Sequence, residues 1–170
     1  MSRSTTTPRT RASSACSLLS LLALAACAGY SPGDLRVGAT ESELRARMGE
    51  PTGRHALPQG SLVEYARGPM GKHTYMVELD VAGRVVGWKQ VLTEANFDVV
   101  VVGAAQADVR RQLGRPSESR TGWRGVGEVW SYRYDTVFCR WFQVWLVEGR
   151  VRETSYGEDW MCDEPRRFPD

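Results

Sequence analysis

Histidine occurs only twice in the 170 residues, at His55 and His73, and neither stands beside a cysteine or a carboxylate motif. The pair reads as two solvated side chains rather than as metal ligands or a catalytic base. The chain also lacks a Gly-x-Ser-x-Gly elbow, a phosphate-binding loop and a His-x-x-x-His helix. Glu78 and Asp80 fall on the polar face of a strand, where solvation accounts for them. The expectation is a protein that is not an enzyme, with no cofactor, no metal and no small-molecule substrate. Polybasic runs are missing too, which argues against nucleic acid as a partner. Long apolar runs are scarce: Ala15 to Ala26 is 12 residues, too short to cross a bilayer as a helix.

What that short run does fit is an export signal. Arg3, Arg9 and Arg11 precede it with no acid among them, and it ends in Leu24-Ala25-Ala26-Cys27. That ending resembles the lipobox read by the bacterial lipoprotein signal peptidase, which implies cleavage before Cys27 and acylation of Cys27. An ordinary secretory signal with an incidental cysteine, or an uncleaved anchor, are the alternatives. Ala28 stands where lipoproteins kept at the inner membrane usually carry Asp, so the expected address is the periplasmic face of the outer membrane. Several acyl chains make a stable anchor. Without residues 1–26 the chain loses three arginines, leaving 19 basic against 20 acidic residues.

Cysteine is sparse as well. With Cys16 in the leader and Cys27 acylated, Cys139 and Cys162 remain. In an oxidising compartment they are a natural pair, closing a loop of about 23 residues and adding roughly 3 kcal/mol. Two buried free thiols are the alternative.

Against this short list of absences stands a repeat. Val37 to Pro51 (VGATESELRARMGEP) returns as Val102 to Pro116 (VGAAQADVRRQLGRP), with six of fifteen positions identical. A fixed-period echo marks one structural unit used twice. In the first copy Thr40 and Glu43 form a capping box, Leu44 and Met48 make an apolar stripe, and Gly49 and Pro51 stop the helix. In the second, Ala105 replaces the capping Thr, so that helix should start less firmly. Strands are expected at Leu62–Arg67, around Tyr75–Val81 and at Arg84–Leu92. Their counterparts are Val129–Tyr134, Cys139–Val147 and Arg150–Tyr156. The turns Ala82-Gly83 and Glu148-Gly149 match, and the offset drifts by no more than two residues. Thr93 to Asp98 reads as an extra helix, with Val99 to Val102 either its exit or a buried strand. Asp34-Leu35-Arg36 would be its shortened equivalent. The expected fold class is α+β: two tandem helix-helix-three-stranded antiparallel meander units packed into one small domain. The expected segments are a leader (1–26), a tether (27–33), unit one (34–92), unit two (93–162) and a tail (163–170).

The lipobox at Cys27, the glycines Gly38 and Gly103, the Gly-x-Pro stops at Gly49 and Gly114, and the strand aromatics Tyr65, Trp130 and Tyr132 together resemble the SmpA/OmlA (BamE-like) outer-membrane lipoproteins. That resemblance implies a two-helix, three-strand unit and a role beside the machinery that folds β-barrels into the outer membrane. Members typically hold one unit, whereas two in tandem resemble the β-lactamase-inhibitor protein fold, which grips another protein on a concave sheet. The expected function is therefore a membrane-anchored protein-binding module serving outer-membrane assembly or integrity. The alternative is a tethered inhibitor-like module with an unrelated protein partner.

The tryptophans concentrate in the second copy. Trp130, Tyr132 and Tyr134 share one strand face, and Trp141 and Trp145 share another, next to Phe138 and Phe142. Either both faces of that sheet are buried, or Trp130, Tyr132, Tyr134, Trp141 and Trp145 form an exposed partner-binding patch. Trp88 carries the same ambiguity in copy one.

Overall fold

The computed structural model describes residues 31–67 and 71–159. In chain order the elements are α1 (Glu41–Met48), β1 (Gly53–Leu57), β2 (Gly60–Arg67), β3 (His73–Leu79) and β4 (Val85–Gln90). Then come α2 (Glu94–Phe97), α3 (Gln106–Leu113), β5 (Glu118–Thr121), a 3-10 turn (Trp123–Gly125), β6 (Glu128–Arg133), β7 (Arg140–Val147) and β8 (Arg150–Glu158).

The two long helices start as their caps dictate. The Glu43 amide donates to the Thr40 hydroxyl at 3.3 Å, and the Thr40 amide donates to the Glu43 carboxylate at 2.7 Å. The bond from the Thr40 amide, then that from the Thr40 hydroxyl at 2.8 Å, holds the Glu43 carboxyl below its ordinary range. Ala105 has the same extended backbone but offers no side-chain bond to α3. Both helices end at a glycine, Gly49 with φ 75° and ψ −162°, and Gly114 with φ 80° and ψ −163°. That region is open essentially to glycine alone.

The strands form two separate antiparallel meanders, ordered β1-β2-β3-β4 and β5-β6-β7-β8. This corrects the expected helix-helix-three-strand unit: the described residues are mostly β, with four strands per sheet and only three short α-helices. The missed strands, β1 (GRHAL) and β5 (ESRT), lie at sheet edges and bury little, so they carry no apolar alternation to read. β1 is fixed by a two-residue turn at Pro58-Gln59, which sets Leu57 opposite Gly60. The expected helix at Asp34-Leu35-Arg36 is a single turn closed by the Leu35 amide on the Pro32 carbonyl. Preceded by proline and followed by glycine at Gly38, it has no room to propagate. Thr93 does cap a helix, but one that stops at Phe97, and Val99 to Val102 belong to neither helix nor strand.

The repeated sequence is a repeated lock. Gly38 donates to the Val85 carbonyl at 2.7 Å, and Gly103 donates to Val151 at 2.7 Å. Both glycines have φ of 88°. Val85 and Val151 return bonds to Ala39 and Ala104, while Arg84 and Arg150 reach back to the Gly38 and Gly103 carbonyls at 3.1 and 3.0 Å. The recurrence of VGA and GRV, 46 residues apart in the first copy and 47 in the second, thus reflects the contact between each helix entrance and the far hairpin. Even the register shifts recur, at Glu78/Leu79 and at Trp145/Leu146.

Leu44 and Met48 of α1 cover Val63, Tyr65, Val77, Leu79 and Val85 on one face of the first sheet. A larger core joins α2 and α3 to the second sheet through Phe97, Val109, Leu113, Trp130, Tyr132, Phe142 and Val144, and it takes in Met76 and Leu62 from the other face of the first sheet. The units therefore meet where the end of α3 lands on β2 and β3. The pivot is Glu64, wholly buried. Its carboxylate accepts from the Arg115 amide at 3.0 Å and from the Thr52 hydroxyl at 3.4 Å, and it lies 3.4 Å from His55 Nε2. Tyr132 adds a bond from its hydroxyl to the Gly114 carbonyl at 3.2 Å. The two sheets share no edge, so no continuous eight-stranded concave surface is formed.

Candidate functional site

The loop from Asp135 to Cys139 joins β6 to β7 and carries two strongly exposed apolar side chains of the second unit. Val137 is 89 % exposed and Phe138 is 69 % exposed. Thr136 supports the loop by accepting from the Phe138 amide at 3.2 Å. Cys139 is disulfide-bonded, sits at φ 48°, and accepts through its carbonyl from the Asp159 amide at 2.8 Å. Its expected partner Cys162 lies outside the described residues, as does the acylation candidate Cys27.

Arg140, the first residue of β7, is clamped beside this loop. Its guanidinium lies 5.1 Å from the Phe138 ring centre and 4.6 Å from that of Tyr156. Nε donates to the Tyr134 hydroxyl at 3.0 Å and a terminal nitrogen donates to Glu94 at 3.1 Å. The Tyr134 hydroxyl in turn donates to the same Glu94 oxygen at 2.9 Å. The bond from Tyr134, then that from Arg140, holds the Glu94 carboxyl below its ordinary range, and Arg140's own bonds to Tyr134 and then to Glu94 hold its guanidinium up. Burial, then the neighbouring Tyr134 and Glu94, pushes the Tyr156 phenol up. Beneath the cluster Phe97 stacks on Phe142 at 4.3 Å and meets Tyr134 edge-on at 5.1 Å.

Chemically the cluster is preorganised. The charges are matched within the chain, and the aromatic rings and the arginine already hold one geometry. A partner docking here would lose little side-chain entropy. Arginine and tyrosine set in a partly desolvated aromatic nest are the residue types that anchor protein interfaces.

The aromatics expected to form the patch are elsewhere. Trp130, Tyr132, Tyr134 and Trp141 are buried, and Trp145 is half-buried with its indole N–H donating to the Val126 carbonyl at 2.9 Å. Burial pushes the Tyr132 phenol far above its ordinary value. Trp141 lies under the Arg133 guanidinium at 4.4 Å. These five fill the two faces of the second sheet instead of forming an exposed set. Tyr134 alone enters the cluster, through its hydroxyl. Among the described residues the exposed rings are Trp88, which meets Tyr75 edge-on at 6.1 Å, Trp123 beneath Arg124, Phe138 and Tyr156. His55 faces Glu64 and His73 meets Tyr75 edge-on at 6.3 Å, so neither is simply solvated. Sequence reasoning passed over Arg140, Glu94 and Tyr156. The available signal was an arginine between a cysteine and an aromatic-rich strand, in Phe138-Cys139-Arg140-Trp141.

The fold thus defines a tandem duplication of a helix-and-four-stranded-meander unit. No family model matches the chain, the SmpA/OmlA lipoproteins included, and no curated protein matches it. Among solved structures it is similar to the "putative beta-lactamase inhibitor protein" from Streptococcus mutans, with a TM-score of 0.32 and 13 % identity, over 75 % of this chain and 87 % of that one. It is also similar to an extracellular protein containing a SCP domain from Bacillus anthracis str. Ames, with a TM-score of 0.28 and 15 % identity, over 72 % of this chain and 44 % of that one. Neither is close enough to transfer a partner or an activity.

Proposed function

We propose that this chain is a lipid-anchored, non-enzymatic protein-binding module of the outer membrane's periplasmic face, and that it docks its partner through the Phe138–Arg140–Tyr156 surface. The observation that carries the binding role is the clamped Arg140 beside the exposed Phe138 and Val137, on a loop tied by the Cys139 disulfide. The anchor rests on Leu24-Ala25-Ala26-Cys27, and the outer-membrane address on Ala28. A role beside the β-barrel assembly machinery is the context those residues favour.

In-cell crosslinking from position 137 or 138, followed by purification in detergent, tests the docking surface. Specific adducts from these positions and none from an exposed position of unit one, such as Val81, are expected. Equal adducts from both would overturn the surface. Barrel-assembly components among the adducts would support the finer role, and their absence with a different specific adduct would remove it. Palmitate labelling that persists in Cys27→Ala would sink the anchor independently.

A further inference from the structure

A second surface differs in chemistry and lies at the junction of the units. Thr52, Arg110, Arg115, Ser117, Ser119 and Trp130 line a groove of about 410 Å³, with Pro116 and Glu118 completing it. A smaller depression that shares the Arg115–Ser117 turn continues it toward Thr74 and Gly71. The duplication shows what is unusual here. In copy one, Arg45 of α1 pairs with Glu41 at 3.1 Å and with Glu50 at 3.5 Å. The corresponding residues of copy two are Arg110, Gln106 and Arg115. One partner has become neutral and the other has become a second cation. Among the described residues neither Arg110 nor Arg115 forms an ion pair; Arg110 lies 5.8 Å from the Trp130 ring centre. Glu64, the buried carboxylate nearby, is engaged with the Arg115 amide, Thr52 and His55.

Beside these two cations runs β5, all four residues of which are exposed. Among the described residues it pairs only with β6. Alternate amides and carbonyls of such an edge point away from the sheet and accept an added strand. We propose that this groove binds an extended, acidic peptide segment of a partner protein, laid along β5 with its carboxylates on Arg110 and Arg115. Ser119 supplies a hydroxyl along the same path, and Trp130 forms the wall. Glu118 repels carboxylates at one end, which sets where the acidic residues of the peptide must fall.

The site stands apart from the Arg140 surface, so its test does not depend on that reading. Binding of a fluorescein-labelled peptide of alternating Glu and Val to the purified full chain is measured by anisotropy, beside a Gln-for-Glu control. The Glu peptide should bind at least about tenfold more tightly, and Arg110→Gln with Arg115→Gln should each cost about tenfold or more, as a charge-assisted hydrogen bond lost to a neutral donor does. Affinity should fall as salt rises. Both arginines are outside the core, so unchanged melting of the variants would certify their fold. If a variant melts early, Glu118→Gln gives the complementary readout: the same peptide should bind more tightly. Equal binding of the two peptides, or full affinity in the doubly substituted chain, would overturn the proposal. So would competition by phosphatidylglycerol vesicles or inorganic phosphate as effective as the unlabelled peptide, because the groove would then be a plain phosphate site.

Discussion

Replacing Gly114 by alanine tests how the two units are joined, because a second glycine of positive φ without the contact is available in the same molecule. A Cβ at Gly114 would meet Thr74 Cγ2 at 2.9 Å, Glu64 Cδ at 3.1 Å and Met76 Cε at 3.2 Å, all three from the first sheet. A Cβ at Gly103, which also has positive φ, meets nothing within 4 Å. Gly103→Ala should therefore cost only backbone strain, about 1–2 kcal/mol. Gly114→Ala adds crowding of about 1–3 kcal/mol to a strain of about 1–3 kcal/mol. At roughly 3 °C per kcal/mol for a domain of this size, the difference reads as several degrees in Tm. Urea unfolding of both variants gives the free energies. A cycle with Thr74→Ser, which removes the nearest methyl, should show coupling of about 1 kcal/mol with Gly114→Ala and none with Gly103→Ala. Equal costs for the two glycines, or no coupling to Thr74, would refute the close approach of α3 to the first sheet.

Further outcomes follow from the caps and the cluster. Ala105→Thr should stabilise α3 by about 0.5–1 kcal/mol, since the backbone there already has the capping conformation and Thr40 shows the side chain fits; chemical denaturation checks it. The Glu94 carboxyl, followed by NMR, should titrate below the ordinary carboxylate value, and Tyr134→Phe and Arg140→Ala should each restore part of that value, because both side chains bond the carboxylate. The sign follows: a folded value below the unfolded one gives stability present above the ordinary carboxylate pKa and lost as pH falls through the folded value. Reduction with dithiothreitol should lower Tm, because it frees the Cys139 loop; an unchanged melt would show that the bond constrains nothing.

The parts of the fold that the sequence declared were those where one residue type has one conformational use. Thr40 with Glu43 marks a helix start through a reciprocal side-chain cap, Gly49 and Gly114 before Pro51 and Pro116 mark helix ends through a backbone conformation few other residues adopt, and the repeat of VGA and GRV marks the lock. The edge strands β1 and β5 were silent because an edge pairs on one side and buries almost nothing. The Trp130 to Trp145 set was visible as composition but not as orientation, since a strand apolar on both faces is consistent with burial or display. Arg140 was hidden for a different reason. Its meaning comes from Phe138, Tyr156 and Glu94, which lie in a loop, a later strand and an earlier helix, and only the folded chain brings them together.

Glu64 has a consequence for how the molecule can be taken apart. It belongs to the first meander by sequence, yet the amide it satisfies follows a helix of the second. Severing the chain near Leu92, at the seam of the duplication, would give one fragment an acid turned from a sealed pocket to open water. The other fragment would keep a helix whose last turn has lost its acceptor. Each half carries a complete copy of the ancestral motif, but neither inherits a complete set of bonds. Limited proteolysis in that seam should thus yield two pieces that melt together while they stay associated and lose structure once separated.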